Sequence, residues 1–148
     1  MSLEETASAE TRGSYNLDEQ VGYILRLASQ RHAAIFQEHA VLGLTPTQFS
    51  ALIRLNEVRQ CSQNQLGRLT SMDVATIKGV VDRLRAKELI ELNPDPNDKR
   101  RALISLTEKG ESLIEELYDM GHVITRETLG PLTTSEQKTF LRLLKKLA

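Results

Sequence analysis

Apolar residues recur along this chain at two periods, and the change from one to the other marks out its architecture. From Leu17 to about Leu42, the residues Val21, Ile24, Leu25, Ala28, Ile35 and Leu42 fall at helical spacing. That spacing predicts one amphipathic helix of about seven turns, longer than a small domain needs for its own core. Gly43 supplies a stop. Thr45-Pro46-Thr47-Gln48 reads as a helix start, with Thr45 as N-cap, Pro46 in the first turn and Gln48 closing a capping box; this helix runs to about Val58. Ser62-Gln63-Asn64-Gln65 repeats the pattern and opens a short helix ending near Thr70. After Ser71-Met72-Asp73 another helix runs from about Val74 to Lys87. Two short helices joined by a few polar residues form a helix-turn-helix.

The period then shortens. Leu89-Ile90-Glu91-Leu92 is a strand candidate, and Ala102-Leu103-Ile104-Ser105-Leu106 is a second with rough alternation. Between them, Asn93-Pro94-Asp95-Pro96-Asn97-Asp98 reads as a dense turn, because two prolines exclude helix. The pair predicts a β-hairpin, which beside a helix-turn-helix is a wing. Thr107 caps a long helix bearing Leu113, Leu117, Met120 and Ile124, broken at Gly130-Pro131. Thr133 and Glu136 make another capping box for a last helix striped by Phe140, Leu143, Leu144 and Leu147. The first sixteen residues are polar and aperiodic and read as a mobile tail. The expected fold is mainly α with a small β-hairpin. A winged helix-turn-helix lobe at 45–106 is flanked by helical regions at 17–44 and 107–148 that carry more apolar surface than one such core absorbs.

Composition changes this picture little. The 148 residues, 40% hydrophobic and 26% charged, suit one soluble domain. No apolar run approaches the ~20 residues of a membrane span. The lone Cys61 excludes an internal disulfide framework and fits a cytoplasmic location. The net charge of −1 argues nothing for nucleic acid, but its distribution does. Residues 1–20 hold five acids against Arg12, whereas residues 68–109 hold nine Lys or Arg against seven acids.

The positions of those charges carry the chemistry. On the helix from Val74 to Lys87, Val74, Ile77, Val80, Val81 and Leu84 share one side and are expected in the core. The other side shows Ala75, Gly79, Asp82, Arg83 and Ala86, flanked by Thr76 and Lys78. Small residues at its centre allow close approach, and donors at its margins suit base edges and phosphates, as a helix entering a major groove requires. The alternative is a solvated helix face. The hairpin tip sets Asp98 beside Lys99, Arg100 and Arg101, three adjacent cations that suit a narrow minor groove, with Asp98 orienting an arginine. Here the alternative is an edge hairpin protected by charge. With Gln63, Ser71 and Asp73 from the helix-turn-helix, these residues make up the candidate DNA surface. No Gly-rich phosphate loop, nucleophile elbow or metal-ligand spacing is present, so neither catalysis nor a cofactor is expected.

Residues about 20–146 resemble the MarR family of bacterial transcriptional regulators. The strongest match is Asp95-Pro96-Asn97-Asp98-Lys99-Arg100-Arg101-Ala102-Leu103-Ile104-Ser105-Leu106-Thr107-Glu108-Lys109-Gly110, similar to the family's wing and following helix start. Val81-Asp82-Arg83-Leu84 matches the end of its recognition helix, and Leu44-Thr45-Pro46-Thr47-Gln48-Phe49 the start of its second helix. Two departures stand out. The family favours Gly where this chain has Glu88, and Arg where it has Leu92 and Asn93.

The resemblance implies a homodimer joined by its first and last two helices, acting on double-stranded DNA at a pseudo-palindromic operator. It also implies a repressor released by a small molecule, often an aromatic acid. The pattern from Arg26 to His32 is similar to regulators of aromatic-acid breakdown, and points to an aromatic carboxylate or its CoA thioester as effector. Candidate contacts are Arg26, Gln30, His32, Phe36 and His39 on the first helix, facing Phe49, Ile53, Arg54, Met72 and Ile77. Two other readings remain open at this point: a redox response through Cys61, and a winged-helix module that binds protein instead of DNA.

Overall fold

Capping chemistry sets the helix boundaries in the computed structural model, which describes residues 13–148. Residues 1–12 of the expected tail lie outside the described residues. The chain divides into two units between Ala34 and Ile35. In the first, the Asn16 side chain accepts the Asp18 backbone N–H and caps a 3₁₀ turn, Leu17–Glu19. Helix α1 (Val21–His39) follows, and Val21, Ile24, Leu25 and Leu27 along it are exposed. The single helix expected from 17 to 42 is therefore three pieces. Leu42 and Gly43 both adopt positive φ, at 53° and 65°, inside a second 3₁₀ turn (Val41–Gly43), and consecutive left-handed residues cannot continue a right-handed helix.

Helix α2 (Pro46–Val58) starts with the Thr45–Gln48 capping box and Pro46 in its first turn, as its sequence predicts. Ser62 caps α3 (Gln63–Leu69) by accepting the Gln65 N–H. Asp73 caps α4 (Val74–Ala86), a cap not anticipated. Thr107 caps α5 (Glu108–Leu129), and the Thr133–Glu136 box opens α6 (Thr134–Lys145).

The sheet differs from expectation in two ways. Strands β2 (Ile90–Asp95) and β3 (Asp98–Leu106) extend through most of the region expected as a turn, leaving Pro96 and Asn97 to reverse the chain. Pro94 is tolerated there because β2 is an edge strand. A third strand, β1 (Gln60–Cys61), pairs antiparallel with β3 at Gln60–Ser105 and Cys61–Ile104, giving the order β1-β3-β2. Two residues are too few to show a period.

The core of the second unit draws from every layer. Ala51, Leu52 and Leu55 of α2, Leu66 of α3, and Ile77, Val80, Val81 and Leu84 of α4 pack with Leu89, Ile90, Ile104 and Leu106, and with Leu117 and Ile124 of α5. Each such side chain contributes about 1.5–3 kcal/mol on burial. The core thus fixes α3, α4 and the hairpin relative to one another. Val74 is the exception to the expected stripe. It is 72% exposed, at the very first position of α4.

Glu88, where the sequence departs from the family pattern, has φ of 61° between α4 and β2. The left-handed turn that glycine adopts without strain is made here by a glutamate. Glu88→Gly is expected to raise stability by about 0.5–1 kcal/mol, the relief of strain exceeding the added backbone entropy of the unfolded chain. Thermal unfolding checks it, and a lower midpoint would show that the Glu88 side chain offsets the strain.

Candidate nucleic-acid interface

The wing is built by a register shift. Pairing between β2 and β3 is regular from Ile90–Leu106 to Pro94–Ala102, then jumps to Asp95–Asp98. Lys99, Arg100 and Arg101 are left without partners on β2, in a bulge. Bulges re-aim side chains and sharpen local twist, and this one leaves three consecutive cations exposed. Asp95, 5% exposed, is the anchor. Its Oδ1 accepts the Asn97 backbone N–H at 2.9 Å and its Oδ2 lies 3.2 Å from Arg101 Nη2. The Asn97 N–H, and after it the Arg101 guanidinium, hold the Asp95 carboxyl below its ordinary range, against partial burial that pushes it up. Asp98 accepts the Arg100 backbone N–H at 3.0 Å, and its Oδ1 lies 3.6 Å from Arg100 Nε.

Division of labour between the arginines follows. Arg101 is tied to Asp95, whereas the Arg100 side chain is 95% exposed and extends from the tip. Sequence reasoning named Asp98 as the orienting acid and missed Asp95, because within Asn93–Asp98 the aspartates look alike and only the register buries one of them.

Beside the wing, a cleft of about 380 Å³ is lined by Gln63, Asn64 and Arg68 of α3 together with Arg100 and Arg101. The structure thereby brings predicted Gln63 to the wing arginines and adds Arg68, which the sequence reading had not named. On α4, Ala75, Thr76, Lys78 and Arg83 are exposed and Gly79 is half-buried. Lys78 Nζ pairs with Asp82 at 2.9 Å. Arg83 Nη1 folds back to within 3.0 Å of where a Gly79 side chain would begin, so the glycine makes room for it. Ser71 is exposed, with φ of 55° in the turn before α4. Asp73 is used structurally. Its Oδ1 accepts the Thr76 N–H at 2.7 Å, and the Thr76 backbone and side chain together hold its carboxyl below the ordinary range.

The residues predicted to contact an effector belong to both units. Phe36 is 6% exposed and meets Phe49 edge-to-face at 5.8 Å, and Ile77 is 1% exposed, so both belong to the core. The helical period cannot tell a pocket-facing apolar residue from a packed one. His39 Nε2 lies 2.9 Å from Glu127 Oε1. Glu38 joins them in a cluster whose ligand-capable atoms fall within 4.8 Å of one another. Met72 is half-buried against the core. Arg26, Gln30 and His32 belong to the first unit and are exposed, with the Arg26 guanidinium 5.3 Å from the Tyr23 ring centre. Phe49, Ile53 and Arg54 do line one cleft, of about 360 Å³, with Ser50, Leu69, Thr70 and Ser71. Arg54 there donates to the Leu69 carbonyl and to Glu57.

Cys61 is 1% exposed on β1, and burial raises its thiol pKa. A reactive thiol needs the reverse, a stabilised thiolate in reach of oxidant. Among the described residues no helix is long and apolar enough to cross a membrane.

Helices α3 and α4 with a basic β-hairpin define a winged helix-turn-helix protein. Comparison with known proteins bears this out. A model of the MarR family matches residues 42–101. The transcriptional repressor NicR of Pseudomonas putida is 42% identical over 134 residues, covering 90% of this chain and 85% of that protein. This chain belongs to the MarR family of transcriptional regulators. Among solved structures, a probable transcriptional regulator from Pseudomonas aeruginosa is 50% identical with a TM-score of 0.87, covering 90% of this chain and all of that one. BpsR of Bordetella bronchiseptica, whose DNA binding is regulated by 6-hydroxynicotinic acid, is 40% identical with a TM-score of 0.83, over 90% of this chain and 96% of that one.

Proposed function

We propose that this chain is a homodimeric, sequence-specific repressor in the cytoplasm whose hold on its operator is released by an aromatic carboxylate. The observation that carries the DNA reading is the wing bulge, which leaves Lys99, Arg100 and Arg101 exposed and without partners on β2, with both arginines lining a cleft shared with α3. On this reading the donors of α4 face the major groove and the wing reaches phosphates or the minor groove. Residues 45–106 form the DNA-binding lobe. Exposed Phe140, Leu141 and Leu143 on α6, with Leu147 just after it, supply apolar surface for a second copy. Two lobes related by a two-fold axis would read half-sites about 34–36 Å apart.

The effector reading rests on the cleft at Phe49, Ile53 and Arg54. Its volume suits a single aromatic ring and is too small to enclose a CoA nucleotide, which favours the free acid over its thioester. A guanidinium carries more N–H donors than the two bonds Arg54 makes, and those left over suit a carboxylate. The far wall is the Leu69–Ser71 turn that positions α4. A ligand preferring one arrangement of that turn would shift the recognition helices by its differential affinity. The BpsR relationship favours a hydroxylated pyridine carboxylate.

Titrating a labelled duplex from the gene's own upstream region tests both parts. Tight, sequence-selective binding relieved at least tenfold by 6-hydroxynicotinate or a substituted benzoate is expected, with the response lost in Arg54→Ala while DNA affinity is kept. Selective binding that no acid or CoA thioester relieves would remove the effector and leave the repressor. Weak, sequence-blind binding would favour a protein-binding module.

A further inference from the structure

Val74 is an apolar side chain that the fold does not use. It is the first residue of α4, directly after the Asp73 cap, and is 72% exposed, while the other branched apolar residues of that helix, Ile77, Val80, Val81 and Leu84, are at most 4% exposed. A β-branched residue there adds nothing to helix propensity, and its exposed isopropyl group adds little to the core. Asp73, Ala75, Thr76 and Lys78, near it in the chain, are exposed and none is a large apolar residue, so along this stretch it is a single large apolar group and not a patch fit for a protein partner. It lies on the core-facing stripe by period but stands exposed at the N-terminal end of α4, the end that enters a major groove first. The major groove offers one apolar group of matching size in a polar setting, the C5-methyl of thymine.

We infer that Val74 reads sequence by packing on a thymine methyl group in each operator half-site. This rests on the DNA-binding reading above, and supplies a determinant that hydrogen bonding does not. The contact requires no donor, so it discriminates thymine from cytosine or uracil by apolar area alone. Burying one methyl against Val74 corresponds to about fourfold in affinity per half-site, and about fifteenfold when both symmetry-related thymines are changed.

The experiment starts from duplexes selected by the full-length protein from a random pool. Each thymine of a selected site is then replaced by deoxyuridine, which removes only the methyl group. One symmetry-related thymine pair is expected to lose about fifteenfold in affinity with the wild-type protein and nothing with Val74→Ala. Val74→Ala should also lose the preference for thymine there in a repeated selection, with an unchanged melting temperature showing that it folds. Insensitivity at every thymine, or sensitivity that persists in Val74→Ala, overturns the inference while leaving DNA binding intact. Failure to select any duplex overturns the DNA reading itself, and Val74 with it.

Discussion

Arg100→Ala is expected to weaken operator binding by about tenfold to a hundredfold and to flatten its salt dependence by about two units, one for each wing of a dimer. The size follows from the geometry. Arg100 sits in the bulge, its side chain is 95% exposed, and its contact with Asp98 at 3.6 Å is long, so little in the folded protein restrains it. Exposed ion pairs of this kind contribute at most about 1 kcal/mol to stability, so the variant should melt with the wild type. The loss therefore reads as lost DNA contact. Arg101→Ala makes the informative contrast. It removes the guanidinium from nearly buried Asp95 and loosens the anchor that sets the bulge, so it should weaken binding and also increase protease sensitivity at the hairpin. Equilibrium titration by fluorescence anisotropy at several salt concentrations measures the slope. An unchanged slope in Arg100→Ala would take the wing tip out of the interface.

The second large effect concerns folding. Gly110→Ala is expected to cost about 3 kcal/mol or more and to lower the melting midpoint by about 6–12 °C. Gly110 lies buried in the first turn of α5, and a methyl group built there runs into the Leu89 carbonyl oxygen, with Leu106 Cδ2 at 3.4 Å on its other side. The obstacle is backbone, and that backbone is pinned. The Thr107 N–H donates to the Leu89 carbonyl at 3.1 Å, the Thr107 hydroxyl donates to the Glu88 carbonyl at 2.7 Å, and Lys109 Nζ donates to the Lys87 carbonyl at 3.1 Å. The junction of α4 with β2 is thus stitched to the start of α5, and neither side gives way without breaking those bonds. Denaturant unfolding followed by circular dichroism checks the cost, and a change under about 0.5 kcal/mol would show that the junction relaxes freely. DNA affinity measured on the folded fraction should change far less, since no DNA-facing residue is touched.

Most of the helical architecture was legible from the sequence because its signals are local. Thr45, Ser62, Thr107 and Thr133 each sit before a helix and satisfy an N–H three residues on, so the caps could be read without tertiary knowledge. The outward face of α4 was legible for the same reason, since period and composition alone separated Ala75, Gly79 and Arg83 from Ile77 and Val81. Boundaries dependent on other elements were not legible. The first helix ends at His39 and not Leu42 because the chain there turns through left-handed residues to dock Leu44 in the core. The wing is longer than its alternation implied because Asn93, Pro94 and Asp95 gain partners on β3, which local propensity cannot register.

The sequence by itself determined the helix-turn-helix, the presence of a basic hairpin after it and the family to which the chain belongs, because caps, periods and turn residues act within a few positions of one another. Tertiary structure alone decided which of the similar residues serve which purpose. It buried Phe36, exposed Val74, chose Asp95 over Asp98 as the partner of Arg101, and placed Arg68 beside the wing. Those outcomes depend on sheet register and on packing between segments far apart in the chain. A residue's own neighbours in sequence carry no record of either.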